Sequence, residues 1–216
     1  MFRLGVITDE VSQDLKAAID FALEFGLRGL EIRTAGGKNI MDMTTDEVKE
    51  IRKMADGSGL EVPSISSPVF KCIVYSSTFS NISETVRTLG RPNVKALYDP
   101  GNAVYCDSSE PPYPEGYELI RDILCHIHIK DAKRVKGEVV STDLGEGAVD
   151  YRGIFQRLFD DGYEGYIILE THHRYTEEIP ESLLNQPGGY SFSAGGLEAS
   201  RVSAQNMIKL IGGAEK

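Results

Sequence analysis

Three short segments each end an apolar run in one metal-liking side chain: Val94-Lys95-Ala96-Leu97-Tyr98-Asp99, His126-Ile127-His128-Ile129-Lys130-Asp131 and Tyr166-Ile167-Ile168-Leu169-Glu170. Each reads as a β-strand running into a loop of Gly or polar residues. A parallel α/β protein delivers the carboxyl ends of all its strands to one face, so residues at those ends are gathered together. Asp99, His128 and Glu170 would then form an oxygen/nitrogen site suited to Mn²⁺, Mg²⁺, Co²⁺ or Zn²⁺. The plainer alternative is three unrelated polar residues closing three strands. Recurrence of the same position favours the site.

The elements that must position these residues alternate along the chain. Phe2 to Thr8 reads as a strand, followed by a helix whose apolar face is Leu15, Ala18, Ile19, Ala22 and Leu23. A second strand, Leu30 to Arg33, leads to a helix opened by the capping box Thr44-Thr45-Asp46-Glu47 and closed by Gly57 and Gly59. Leu60 to Ser66 is a third strand, and Asn81 to Leu89 a helix with Asn81 as N-cap. After the Val94 to Asp99 strand, Pro111 to Pro114 exclude regular structure. A short helix from Tyr117 to Leu124 precedes the His126 strand. A helix N-capped by Asp150 precedes the Tyr166 to Glu170 strand, and a last helix runs from Gly196 to Ile211. Repeated βα units mean a parallel sheet, and in this number a barrel. About six units are present, where a closed barrel needs eight. Val69 to Tyr75 is apolar enough for a further strand, but it follows Ser66 too closely for a parallel crossover.

Composition narrows the class. With 216 residues, 41% hydrophobic and 26% charged, the chain can fold as one domain around a single large core. A net charge of −10 argues against a surface built to neutralise phosphates, hence against nucleic acid. No apolar stretch approaches the ~20 residues of a membrane span, and Met1 to Glu10 has too short an apolar core for a secretory signal. Cys72, Cys106 and Cys125 are odd in number and lack metal-site spacing, so reduced thiols in a cytoplasm are expected, with Cys125 packing as a small apolar residue.

Taken together, Gly5-Val6-Ile7-Thr8-Asp9-Glu10, Ser66-Ser67-Pro68-Val69-Phe70-Lys71, Asp99-Pro100-Gly101-Asn102, His126 to Asp131 and Gly145-Glu146-Gly147 resemble the xylose-isomerase-like TIM-barrel superfamily. Its sugar-phosphate isomerase/epimerase group is the nearest in pattern, alongside inosose dehydratases and keto-sugar epimerases. The resemblance covers Met1 to Lys71 and Thr78 to Ile211. It implies an incomplete (β/α) TIM-type barrel, one domain over residues 1–216, lacking about two βα units at a deletion near residues 70–77. Family members hold a divalent metal by a Glu, an Asp, a His and a second Glu from the fifth to eighth strands. Asp99, His128 and Glu170 match the last three, while the first Glu has no match: Ile73 or Tyr75 stands there.

The resemblance further implies proton transfer at a carbon next to a carbonyl, with the metal stabilising an enediolate and a carboxylate moving the proton. Of the two glutamates that family epimerases use, only Glu170 remains. Lys130 shares the strand face of His126 and His128 and is either an electrophile or acid, or a solvated strand-end lysine. His126 points inward, as a substrate contact or a core histidine. Glu146 contacts substrate or is an exposed turn acid, and Asn102 belongs to the substrate-binding set. His172 shares the face of Glu170 and His173 faces away. Gly36-Gly37-Lys38 lacks the Walker pattern and reads as a flexible loop. Gly188-Gly189-Tyr190 to Ala194-Gly195-Gly196 sits where barrels often bind phosphate, which admits a small-molecule sugar or sugar phosphate.

Three functions follow: a metal-dependent sugar isomerase, epimerase or dehydratase; a metal- or sugar-binding remnant that has lost turnover; and an AP-endonuclease-like enzyme, opposed by the acidic charge and by only four histidines. A barrel short of two units has two open edges, so a homo-oligomer is expected, with Val69 to Tyr75 as the contact.

Overall fold

The computed structural model describes residues 1–66, 78–106, 109–175 and 195–214. The first turn of the fold is β1 (Arg3–Ile7), a one-turn helix α1 (Thr8–Val11) and α2 (Leu15–Glu24), the last capped by the Asp14 carboxylate on the Lys16 N–H. Next come β2 (Gly29–Ile32), a small hairpin of β3 (Thr34–Ala35) and β4 (Lys38–Asn39), and α3 (Thr45–Ser58). The capping box is present: the Thr44 hydroxyl accepts from the Glu47 N–H and Glu47 accepts from the Thr44 N–H, while Gly59 closes the helix at φ +74°. The chain continues through β5 (Glu61–Ile65), α4 (Phe79–Leu89), β6 (Ala96–Tyr98), α5 (Pro100–Tyr105) and α6 (Tyr117–Ile120). After β7 (Leu124–Ile129) a second hairpin, β8 (Asp131–Val135) and β9 (Glu138–Thr142), precedes α7 (Tyr151–Asp160), β10 (Tyr166–Leu169) and α8 (Gly196–Ala214).

Among the described residues six strands form one wholly parallel sheet in the order β5-β2-β1-β10-β7-β6. That is the strand order of a (β/α) barrel opened between β5 and β6, so the fold is an incomplete TIM-type barrel. Between β5 and β6 in the sequence lie residues 67–77 and α4; the segment Val69 to Tyr75 lies outside the described residues, as do Cys72 and Gly188 to Ala194.

Alternation sorts the strand residues onto two faces. Val6, Leu30, Ile127, Ile129, Ile167 and Leu169 join the large core between sheet and helices. Ile7, Tyr166 and Ile168 form a small separate cluster on the inner face. Gly5 and Gly29 make room for it: a Cβ at Gly5 would lie 2.6 Å from the Ile168 side chain, and one at Gly29 2.5 Å from the Tyr166 ring. Above this apolar floor the inner face turns polar, with Glu31, His126 and His128 on the same parity.

Several boundaries differ from the sequence reading. The N-cap of α4 is Thr78, whose hydroxyl accepts from Asn81 N–H; Asn81 lies inside the helix because Phe79 is buried against the Tyr98 ring. The helix expected from Tyr117 to Leu124 ends at Ile120, and Leu124 already pairs in the sheet. Gly36-Gly37 is the turn of the β3–β4 hairpin, both residues at positive φ. Cys125 is exposed rather than packed inside, as is Cys106.

Candidate functional site

The register sets the strand ends level. Leu169 pairs with Ile129 and with Val6, and Tyr98 with Ile127, so Asp99, His128, Lys130 and Glu170 emerge at one end of the sheet. Among the described residues every buried charged side chain lies at this end or in the loops leaving it: Asp9, Glu10, Glu31, Arg33, Asp99, His128, Lys130, Asp131, Glu170 and Arg174. A protein buries so many charges only when they neutralise and hydrogen-bond one another.

Asp99, His128 and Glu170 each bring a ligand atom into a group spanning no more than 4.8 Å. Lys130 stands among them: its ammonium donates to Asp99 Oδ2 at 2.5 Å and to Glu170 Oε2 at 2.6 Å. Gly101 at the start of α5 lets the lysine pass, since a Cβ there would meet Lys130 Cγ at 2.7 Å. The cost of burial falls on the charged lysine, yet Asp99 and Glu170 outweigh it and hold the ammonium above its ordinary pKa. Lys130 is therefore a buried cation paired with two carboxylates and not a solvated strand-end residue. Burial would raise the Glu170 pKa, but Lys130, His172 and His128 together hold it well below the ordinary carboxylate range.

Glu170 is shared further. Its Oε1 lies 3.2 Å from Arg33 Nη1 and 3.1 Å from His172 Nε2. Arg33 also donates Nε to Asp9 Oδ2 at 3.0 Å and Nη2 to Glu10 Oε1 at 2.6 Å, and Arg174 donates to Glu10 Oε2 at 3.2 Å. On its other side His128 meets Glu31, its Nε2 at 3.0 and 3.1 Å from the two carboxylate oxygens. Burial disfavours the His128 imidazolium, but Glu31 and Glu170 outweigh that and the pKa is pushed up to about 10. His126 Nε2 lies 2.8 Å from Glu31 Oε2. His173 sits outside the cluster, its ring edge-on to Tyr175.

The remaining candidates separate. The Asn102 side chain is exposed; its backbone N–H donates to Asp99 Oδ1 at 3.1 Å, which steers that carboxylate toward Lys130. Glu146 is exposed in a loop that folds around Asp131, whose carboxylate accepts backbone N–H groups of Gly145, Gly147 and Val149. Sequence reasoning passed over Asp9, Glu10, Glu31, Arg33 and Arg174. The period-two rule marks Glu31 and Arg33 as sharing a face of β2, with Leu30 and Ile32 on the other; Asp9 and Glu10 follow the first strand as Asp99 and Glu170 follow theirs, and nothing local marks Arg174.

Two carboxylates and an imidazole beside a bound ammonium form a donor set that fits a divalent cation, which must displace the Lys130 ammonium and one proton of His128. Two further groups have comparable spacing, Glu31–His126–His128 and Glu10–Glu170–His172.

The sequence pattern described as xylose isomerase-like TIM barrel matches residues 68–190, more than half of the chain. The chain belongs to the xylose isomerase-like TIM-barrel family. Within curated proteins it is 25% identical over 144 residues to an inosose dehydratase of Serratia proteamaculans, a match covering 58% of this chain and 45% of that protein. It is 33% identical over 92 residues to an inosose dehydratase of Bacillus licheniformis, covering 36% and 30%. The matched stretches thus take in less than half of these relatives' lengths. Among solved structures, a xylose isomerase-like TIM barrel protein from Mycobacterium smegmatis in complex with magnesium superposes with a TM-score of 0.50 at 16% identity, covering 99% of this chain and 74% of that one. That likeness supports the barrel-type fold.

Proposed function

We propose that this protein is a divalent-metal-dependent member of the family, acting on a small sugar or sugar-like polyol, or its phosphate, by proton transfer next to a carbonyl. The observation that carries this is the convergence of Asp99, His128 and Glu170 at the carboxyl ends of β6, β7 and β10, where the two carboxylates already hold the Lys130 ammonium. Asp99, His128 and Glu170 would hold the metal, which in such a site polarises the carbonyl and hydroxyl oxygens of a substrate. Proton removal at the neighbouring carbon is the opening step common to isomerisation, epimerisation and dehydration. The inosose dehydratases among its relatives support that shared step as the one to test.

Glu170 is the carboxylate assigned to take the proton, and Lys130 the ammonium assigned to give one. With Lys130 at 2.6 Å, Glu170 is ionised but a weak base. Separating the two raises the proton affinity of Glu170 and frees the ammonium for a carbonyl or leaving hydroxyl oxygen. His126, beside Glu31 on the inner face, is the residue assigned to a substrate hydroxyl. Neither Asn102 nor Glu146 touches the charged cluster through its side chain among the described residues, so both would reach substrate only from the rim.

The test is solvent exchange. Incubated with Mn²⁺ and ketohexoses, ketopentoses or a keto-inositol in D₂O, the wild-type protein is expected to exchange the proton next to the carbonyl, and Glu170→Gln to lose that exchange. Sugar and Mn²⁺ binding with no exchange would support the second reading, a metal- and sugar-binding remnant. That reading is favoured by the Lys130 bridge and by the absence, among the described residues, of a second glutamate matching the family's first ligand.

The open edges supply a separate proposal. Val62 and Ile65 on β5 and Leu97 on β6 are exposed apolar residues on strands that, among the described residues, pair on one side only. We propose a homo-oligomer that covers them; sedimentation at low micromolar concentration as a stable 23.8 kDa species would refute it.

A further inference from the structure

We infer that Glu31 positions His128 for cation binding by fixing which ring nitrogen faces the Asp99–Glu170 pair; the inference rests on the metal reading above. The two nitrogens of His128 look in opposite directions. Nδ1 lies 3.5 Å from Glu170 Oε2, on the cation side, and Nε2 lies 3.0 and 3.1 Å from the Glu31 oxygens. An imidazole whose Nε2–H is tied to a carboxylate presents the Nδ1 lone pair to a metal, in one tautomer and one ring orientation.

Glu31 is built for that task. It reaches His128 from β2, across the inner face of the sheet, with β1 and β10 between their strands. It is 2% exposed and held on both oxygens: Ser64 Oγ donates to Oε2 at 2.5 Å, the Ser66 hydroxyl donates to Oε1, and His126 Nε2 lies 2.8 Å from Oε2. A carboxylate clamped this way cannot turn with the histidine, so the histidine must align to it. The two serines come from β5 and the residue after it, the strand at the open edge of the barrel. The edge strand is thereby coupled to the metal centre through Glu31. The competing role is a structural brace joining β2, β5 and β7, and the competing chemistry is a second cation held by Glu31, His126 and His128.

The experiment loads ¹⁵N-histidine-labelled protein with Zn²⁺ and reads two quantities: affinity, by competition with a chromophoric chelator, and the His128 tautomer, by long-range ¹H–¹⁵N correlation. In the wild type, His128 is expected to bind through Nδ1 and carry its proton on Nε2; coordination through Nε2 would overturn the inference whether or not any variant folds. Glu31→Leu is expected to weaken Zn²⁺ about 10- to 100-fold and to release the fixed tautomer. Glu31→Gln, whose amide oxygen still accepts from Nε2–H, should stay within about threefold of wild type. A folded Glu31→Leu with wild-type affinity and tautomer would overturn the inference alone and leave the metal reading standing. Two Zn²⁺ per wild-type chain falling to one in Glu31→Leu would overturn it in favour of a ligand role. A wild-type protein that takes up no Zn²⁺ would overturn both readings together.

Discussion

Lys130→Met should bind Mn²⁺ about 10- to 100-fold more tightly than the wild-type protein, measured by calorimetric titration. In the metal-free protein the ammonium already occupies the space between Asp99 and Glu170, at 2.5 and 2.6 Å. An incoming cation must break two charge-assisted hydrogen bonds, each worth about 1.5–3 kcal/mol, and part of that cost returns when Lys130 finds new partners. Methionine keeps the length of the stem that passes Gly101 while removing the charge. The same substitution leaves two buried carboxylates facing each other, so the metal-free variant should lose about 3–5 kcal/mol of stability, and Mn²⁺ should restore most of it. Unchanged Mn²⁺ affinity would mean that the lysine and the metal do not share a site.

Arg33→Met should destabilise this end of the sheet about as much as Lys130→Met does in the metal-free protein. Its guanidinium, on the residue after β2, contacts Asp9 and Glu10 of α1 and Glu170 after β10 at 2.6–3.2 Å. Removing one partner of a buried ion network costs about 3–5 kcal/mol, because the carboxylates are left in place without their cation. For a chain of this size that is a fall in Tm of roughly 6–20 °C. Arg33→Lys should recover only part of the loss, since a single ammonium cannot engage three carboxylates in the geometry of the guanidinium fork. Thermal unfolding of Arg33→Met within about 2 °C of wild type would show that the network is not what joins these strand ends.

How far this arrangement can be read in the sequence depends on locality. Asp99, His128, Lys130 and Glu170 were legible because each ends or follows a run of apolar residues, and the parallel sheet sends all such ends one way. The incomplete barrel was legible for a similar reason, from counting βα units. The meeting of Arg33, Glu10 and Arg174 was not, because it requires β1 to lie between β2 and β10, a contact between residues as far apart as Glu10 and Arg174. Glu31 was within reach of the period-two rule but sits in a four-residue strand buried along its whole length, where alternation of apolar and polar residues is hard to see. The β8–β9 hairpin was missed because β8 starts at Asp131, two residues after β7 ends, and its turn rests on Lys136 and Gly137 at positive φ. The matched strand-end positions point to three metal donors, Asp99, His128 and Glu170. The fold supplied the cation that balances them, which is the feature the sequence left most open: whether Lys130 faced solvent or the site.

The most direct test of the account is anomalous diffraction from crystals of the wild-type protein grown with Mn²⁺. A single manganese peak within ligand distance of Asp99, His128 Nδ1 and Glu170, with Lys130 Nζ moved away from both carboxylates, is the predicted result. No peak at that position, or one held instead by Glu10, Glu170 and His172 with Lys130 still bridging Asp99 and Glu170, would contradict it.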